Sequence, residues 1–119
     1  MKLRNGADIE QIARFEKNIC NSTFMERIYT AAEREYIESK PAKAQTAAGI
    51  YCAKEAAAKA LGRGLYGLLP AELEVGHEPG GVPVLHLHGS ALQQYGGFSF
   101  SISISHSGDY AIAFCVAAE

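Results

Sequence analysis

The stretch AKAQTAAGIYCAKEAAAKAL, residues 42–61, reads as one alanine-rich helix. Alanine is the best helix former, and a run of this length spans about 30 Å. So many small side chains let other backbones approach closely, which suits a central helix wrapped by a sheet. Pro41 separates this helix from what precedes it, and Gly62-Arg63-Gly64 ends it, with Gly62 as a natural C-cap.

Working outward from that helix, residues 2–8 form a short first strand with the turn-like Asn5-Gly6 near its end. Asp8 then precedes Ile9, Ile12, Phe15 and Ile19, the apolar stripe of a helix beginning at Ile9. Asp8 at that junction has a purely structural reading as an N-cap. Arg14, Lys17, Asn18 and Asn21 give this helix a cationic polar face. Residues 23–38 continue at helical period, with Glu33, Arg34 and Glu35 directed outward. Beyond residue 64 the period changes to two. Residues 72–75 and 83–88 alternate on either side of the turn Glu78-Pro79-Gly80-Gly81, and residues 90–95 form a short helix. Phe98, Phe100, Ile102 and Ile104 share one strand face and Ser99, Ser101, Ser103 and Ser105 the other. After Ser107-Gly108-Asp109 the apolar run 110–116 completes a hairpin. Helices bracketed by strands in this order predict an α+β domain with the long alanine-rich helix packed on an antiparallel sheet.

The chain has 119 residues and a mass of 12.8 kDa. Two cores would leave about 60 residues each, and such a domain buries only roughly 60% of its chain surface, so residues 1–119 form one domain. A hydrophobic content of 48% with 20% charged residues excludes general disorder. No apolar run approaches the roughly 18 residues of a membrane span. The N-terminus reaches Asp8 before any signal-like apolar stretch, so a cytoplasmic location is expected. A net charge of −2 offers no general attraction to nucleic acid or anionic membranes. The three cysteines, Cys20, Cys52 and Cys115, have no chelating or disulfide-like spacing and read as buried free thiols.

Several polar groups could carry chemistry. Glu55 and Lys59 lie at i and i+4 on the long helix, where the structural reading is one exposed salt bridge. Lys54 points elsewhere, toward solvent. Ser105-His106-Ser107 closes the last hairpin. His86 and His88 share one strand face but lack a third metal ligand in sequence, and Gly62-x-Gly64 alone is a weak phosphate signal.

Together these pieces form an ordered signature. The chain resembles the holo-[acyl-carrier-protein] synthase family of 4′-phosphopantetheinyl transferases. The resemblance rests on GADIEQI at 6–12, AKEAAAKALG at 53–62, GVP at 81–83, SISH at 103–106 and YAIA at 110–113. It covers nearly the whole chain and implies the family's fold and a magnesium-dependent enzyme. That enzyme moves 4′-phosphopantetheine from coenzyme A to a serine of an apo acyl carrier protein and releases adenosine 3′,5′-bisphosphate. Phosphoryl transfer of this kind needs charge neutralisation more than covalent help. By the resemblance, Asp8 and Glu55 match the magnesium ligands and Lys59 the lysine reaching the pyrophosphate. Likewise His106 matches the histidine near the coenzyme A phosphates, and Gly62 and Gly64 the nucleotide turn.

Glu55, Glu35 and a metal-bound water stand as candidates for the general base. The resemblance also implies a homotrimer with active sites between chains and a role in fatty acid biosynthesis. Acidic carrier proteins would dock on Arg14 and Lys17, with Arg27 as a further contact. The chain departs from the family in having Ile50-Tyr51 where Arg-Phe is frequent, and Ala7 before Asp8. Glu10 has two readings. In an extended chain it shares a face with Asp8 and could be a third ligand, whereas in a helix begun at Ile9 it turns away. The rival functions are a coenzyme A-binding module without transfer activity and a structural α+β trimer.

Overall fold

A computed structural model describes the backbone of all 119 residues and every side chain except that of Tyr66. Strand β1 (Leu3–Gln11) leads into helices α1 (Ile12–Asn18), α2 (Ser22–Ile28) and α3 (Ala31–Glu38), then the long helix α4 (Lys43–Ala60). Two short 3-10 turns, Leu65–Gly67 and Pro70–Glu72, precede the hairpin β2 (Leu73–His77) and β3 (Pro83–Leu87). Helix α5 (Gly89–Tyr95) and the hairpin β4 (Ser99–Ser107) and β5 (Tyr110–Ala118) complete the chain. The main sheet has the order β1-β5-β4 and is antiparallel throughout, so the α+β architecture with α4 on an antiparallel sheet is as expected.

Helix α4 occupies the middle of the molecule. Its buried residues, from Ala44 through Ala60, point in nearly every direction around the axis. Its C-terminus closes in a Schellman arrangement. Gly62 takes φ +76° and donates to Lys59 O at 2.9 Å, while Arg63 donates to Ala58 O at 2.8 Å. The sheet face carrying Gly6, Ala111, Ala113, Cys115 and Ile102 lies buried against α4. Gly6 sets the distance between them: a Cβ there would run into Ala56 O and come within 2.8 Å of Ala60 N and 2.9 Å of Lys59 Cβ. The other sheet face leaves Ile9, Tyr110, Ile112 and Phe114 exposed beside the serines of β4.

Three local expectations are corrected. Strand β1 runs to Gln11 rather than yielding to a helix at Ile9, because it pairs with β5 along its whole length, Gln11 opposite Tyr110. Ile12 N then donates to Asp109 O at 2.8 Å, anchoring the strand end. Asp8 is therefore no N-cap, and Ile9 lies on the exposed sheet face. The helix expected over 23–38 breaks into α2 and α3, since Thr30 and Glu33 form a capping box that starts a new helix.

Lys54 and Glu33, expected on the surface, are instead 0% and 1% exposed and paired at 2.8 Å. Lys54 Nζ also donates to Pro70 O and Leu73 O, each at 2.8 Å, and Glu33 accepts from Thr30 N and Val75 N. Burial pushes the Lys54 ammonium below its ordinary value while the Glu33 charge pulls it back. With its polar atoms satisfied, the pair ties α3, the second 3-10 turn and β2 to α4. Cys52 and Cys115 are buried free thiols, whereas Cys20 is exposed. No described helix is long and apolar enough to cross a membrane.

The same substitution at two glycines should have opposite consequences. Gly6→Ala forces α4 off the sheet and should lower stability by about 1–3 kcal/mol or more. Gly64, at φ −78° with nothing within 4 Å of an added Cβ, should accept alanine with a change within about 0.5 kcal/mol. Urea denaturation of both variants checks this, and equal midpoints would mean that Gly6 does not set the contact.

Candidate active site

The extension of β1 to Gln11 decides the geometry of the site. Residues two apart on a strand share a face, so Gly6, Asp8 and Glu10 all point toward α4. On α4, Tyr51, Glu55 and Lys59 follow at four-residue intervals and therefore form one helix face. The close contact at Gly6 lets Lys59 Nζ donate to Ala7 O at 2.9 Å and to Asp8 Oδ1 at 3.3 Å. The exposed Glu55–Lys59 salt bridge read from the sequence is not among the ion pairs of the described residues, and Lys59 pairs with Asp8 instead.

Negative charge outweighs positive charge here. Asp8 is 10% exposed, and its Oδ2 is buried without a hydrogen-bond partner. Burial, and then the neighbouring Asp8, push the Glu10 carboxyl up to about 7, with Glu55 adding to the effect and Arg14 opposing it. Burial and Asp8 likewise raise Glu55 above the ordinary carboxylate range, against the pull of Tyr51, Lys59 and Arg14. Arg14 Nη1 meets Glu10 Oε1 at 2.7 Å, and its guanidinium lies 5.2 Å from the ring centres of both Phe15 and Tyr51. Beside these groups opens a groove of about 580 Å³, with Phe24, Ile28, Leu65 and Leu68 as apolar walls and Arg14, Arg27 and Glu55 as charged ones.

A buried carboxylate oxygen with no hydrogen-bond partner, next to a second carboxylate, is a donor set that fits a hard cation. Hard oxygen ligands suit magnesium, which commonly takes one or two carboxylates and leaves its other positions to water and phosphate. Asp8 and Glu55 fit that requirement. Among the described residues no group of three or more His, Cys, Asp or Glu is gathered closely enough to hold a metal by itself.

The structure brings Asp8, Glu55 and Lys59 together and places Gly62 one helical turn further on. His106 is elsewhere. It pairs across β5 with Ala111, which in turn faces Glu10, but α4 passes over Ala111, whose carbonyl accepts from Cys52 Sγ at 3.4 Å. His106 emerges instead near the N-terminal end of α4, with Nε2 at 3.1 Å from Gln45 Nε2, which lies about 21 Å along the helix axis from Lys59. There it lines a cavity of about 290 Å³ with Gly49, Ile50, His77 and Pro83. Ile50 is buried and brings no charge to that cavity. Gly64 is extended and open. Glu35 lies in an outer hollow with Ala32, Tyr36 and Ser39, sharing no wall with Asp8 or Lys59. Among the described residues His86 and His88 gather no metal set, and His88 pairs with Glu74 at 3.0 Å.

Sequence reasoning did not find Gln45, Tyr51 or the stacked Tyr36–His77 pair, whose ring centres lie 3.9 Å apart. The four-residue interval from Tyr51 to Glu55 was the signal available for Tyr51.

Residues 4–115 match the family described as the 4′-phosphopantetheinyl transferase superfamily. A holo-[acyl-carrier-protein] synthase of Koribacter versatilis is 40% identical over 95% of each chain, and one of Finegoldia magna 38% identical over 98% of this chain and 96% of its own. Among solved structures, the Neisseria meningitidis holo-[acyl-carrier-protein] synthase superposes with a TM-score of 0.85 at 30% identity, covering 98% of both chains. The Helicobacter pylori enzyme in complex with coenzyme A gives 0.84 at 31% identity, covering 96% of this chain and 99% of its own.

The Glu10 shift has a measurable consequence. Between the ordinary carboxylate range and about 7 the folded chain keeps a proton that the unfolded chain has released. Stability from this group is therefore present at the acid end and falls as pH rises through that interval. In metal-free buffer, thermal melts from about pH 5 to about pH 8 should show a steeper loss for the wild type than for Glu10→Gln. Parallel slopes would refute the carboxylate coupling.

Proposed function

The chain belongs to the 4′-phosphopantetheinyl transferase superfamily, and on that footing we propose that it transfers 4′-phosphopantetheine from coenzyme A to a serine of an apo acyl carrier protein. The observation that carries this reading is the meeting of Asp8, Glu55 and Lys59 beside the apolar-walled groove. The serine hydroxyl attacks the β-phosphorus, a serine–phosphorus bond forms, and the bridging bond to adenosine 3′,5′-bisphosphate breaks. Lys59, half exposed and held at Ala7 O, would offer its ammonium to the pyrophosphate charge. Glu35 lies in a separate hollow, so the serine proton would pass to Glu55 or to a water at the site. Phe24, Ile28, Leu65 and Leu68 give the groove apolar walls against which the pantetheine arm could lie. Asp8 and Glu55 would hold magnesium, which when bound offsets charge on the pyrophosphate.

We further infer a homotrimer with sites shared between chains. Two features support it. The open sheet face, with Ile9, Tyr110, Ile112 and Phe114 uncovered, suits burial against another copy. His106 and Lys59 of one chain also stand toward opposite ends of α4, about 21 Å apart along its axis, which suits a nucleotide shared by Lys59 of one chain and His106 of a neighbour. Arg14, Lys17 and Arg27 supply local positive charge for an acidic carrier protein on a chain that is net negative.

Mass spectrometry of an apo carrier protein incubated with coenzyme A and magnesium tests the reaction. Asp8→Ala, Glu55→Ala and Lys59→Ala should each lower the rate by about a hundredfold or more. Wild-type binding of coenzyme A without modification of the carrier protein would identify a binding module instead. Sharing of sites has its own test. Lys59→Ala and His106→Ala chains, each impaired alone, should regain activity when unfolded and refolded together, and no recovery would exclude sites built across chains.

A further inference from the structure

Arg14 occupies an unusual position between the two functions assigned to its neighbourhood. It lines the 580 Å³ groove and also a pocket of about 260 Å³ formed with Ile9, Glu10, Gln11 and Tyr110. Its guanidinium is half exposed, rests against Phe15 and Tyr51, and has one carboxylate partner, Glu10. Glu10 is 14% exposed and faces Asp8 and Glu55, so Arg14 supplies part of the positive charge that these acids lack. Lys59, the other cation, cannot leave so easily, because it also donates to the Ala7 carbonyl. Arg27 lines the same groove with no carboxylate partner among the described residues.

We propose that Arg14 is an internal stand-in for the divalent cation: a cation held by Asp8 and Glu55, beside Glu10, displaces Arg14 from Glu10 and frees its guanidinium to receive an acidic group of the docking protein. The charge logic requires no new contact. A divalent cation and Arg14 compete for the same carboxylate field, so each weakens the hold of the other. The flat rings of Phe15 and Tyr51 give the guanidinium a surface to turn on, since stacking tolerates rotation that a bidentate ion pair does not. Released from Glu10 within the groove it already lines, Arg14 joins Arg27 on the side where a partner's carboxylates would arrive. Cation and acidic partner then bind with positive coupling, and linkage makes the coupling reciprocal. This inference rests on the carrier-protein reading of the groove.

Calorimetric titration of magnesium chloride into the coenzyme A-free protein gives the first test. Arg14→Gln, which removes the competitor, should bind magnesium at least about fivefold more tightly than the wild type, while Arg14→Lys should stay near it. Equal or weaker binding by Arg14→Gln overturns the proposal. The second test measures the Kd for an apo acyl carrier protein with and without magnesium. The wild type should gain at least about fivefold from magnesium, Arg14→Gln should gain nothing, and Arg27→Gln should bind more weakly but keep the gain. A wild-type affinity indifferent to magnesium overturns the coupling. Failure of the transfer reading would look different, as unmodified carrier protein in mass spectrometry despite intact coupling.

Discussion

Everything in this molecule hangs from the contact between Gly6 and the stretch Ala56 to Ala60. A strand backbone and a helix backbone meet there with no side chain between them. The alanines of α4 make the same approach possible along the rest of the sheet, where Ala111, Ala113 and Ala117 answer them. The shallow separation has a chemical result. Lys59 reaches over the edge of the strand to Ala7 and Asp8, and Glu55 comes to face the acid-bearing side of β1. A helix held off by leucines would place these groups several ångströms farther apart.

Packing so close concentrates charge. Asp8, Glu10 and Glu55 repel one another in a partly desolvated corner, with Lys59 and Arg14 as the neutralising cations in reach. The fold tolerates this because its other buried charge is fully matched. The Glu33–Lys54 pair satisfies four backbone groups as well as itself, and losing one partner would leave the other charge stranded in the core. One ion pair is thus closed and structural, and the acidic corner is left open to cations and phosphates.

Helix α4 also divides the molecule functionally. Glu55 and Lys59 lie along its C-terminal half, and Gln45, Gly49 and the neighbouring His106 lie toward its N-terminal end, with Gln45 and Lys59 about 21 Å apart along the axis. Glu55 and His106 therefore line separate cavities of one chain. An uncovered apolar sheet face offers the means of joining copies.

The sequence by itself determined the elements whose signals are local. The alanine-rich helix ends as read, with Gly62 at positive φ, and the hairpin β4–β5 turns at Gly108 because period-two patterning and turn chemistry need no distant partner. The ordered motifs also identified the family and named the three residues that meet at the site. Tertiary structure decided what local pattern left degenerate. Ile9, Ile12, Phe15 and Ile19 satisfy a helical stripe, but ladder bonds to β5 hold the chain extended through Gln11, and that choice alone turns Glu10 toward Asp8. Glu33 and Lys54 look like surface charges until their helices pack and two partners from different elements make burial affordable. His106 carries the right residue type in the right motif, yet its strand delivers it to the opposite end of α4 from Lys59. Periodicity reports how a residue faces along its own element, whereas how far apart residues of different elements lie is set only when the chain folds.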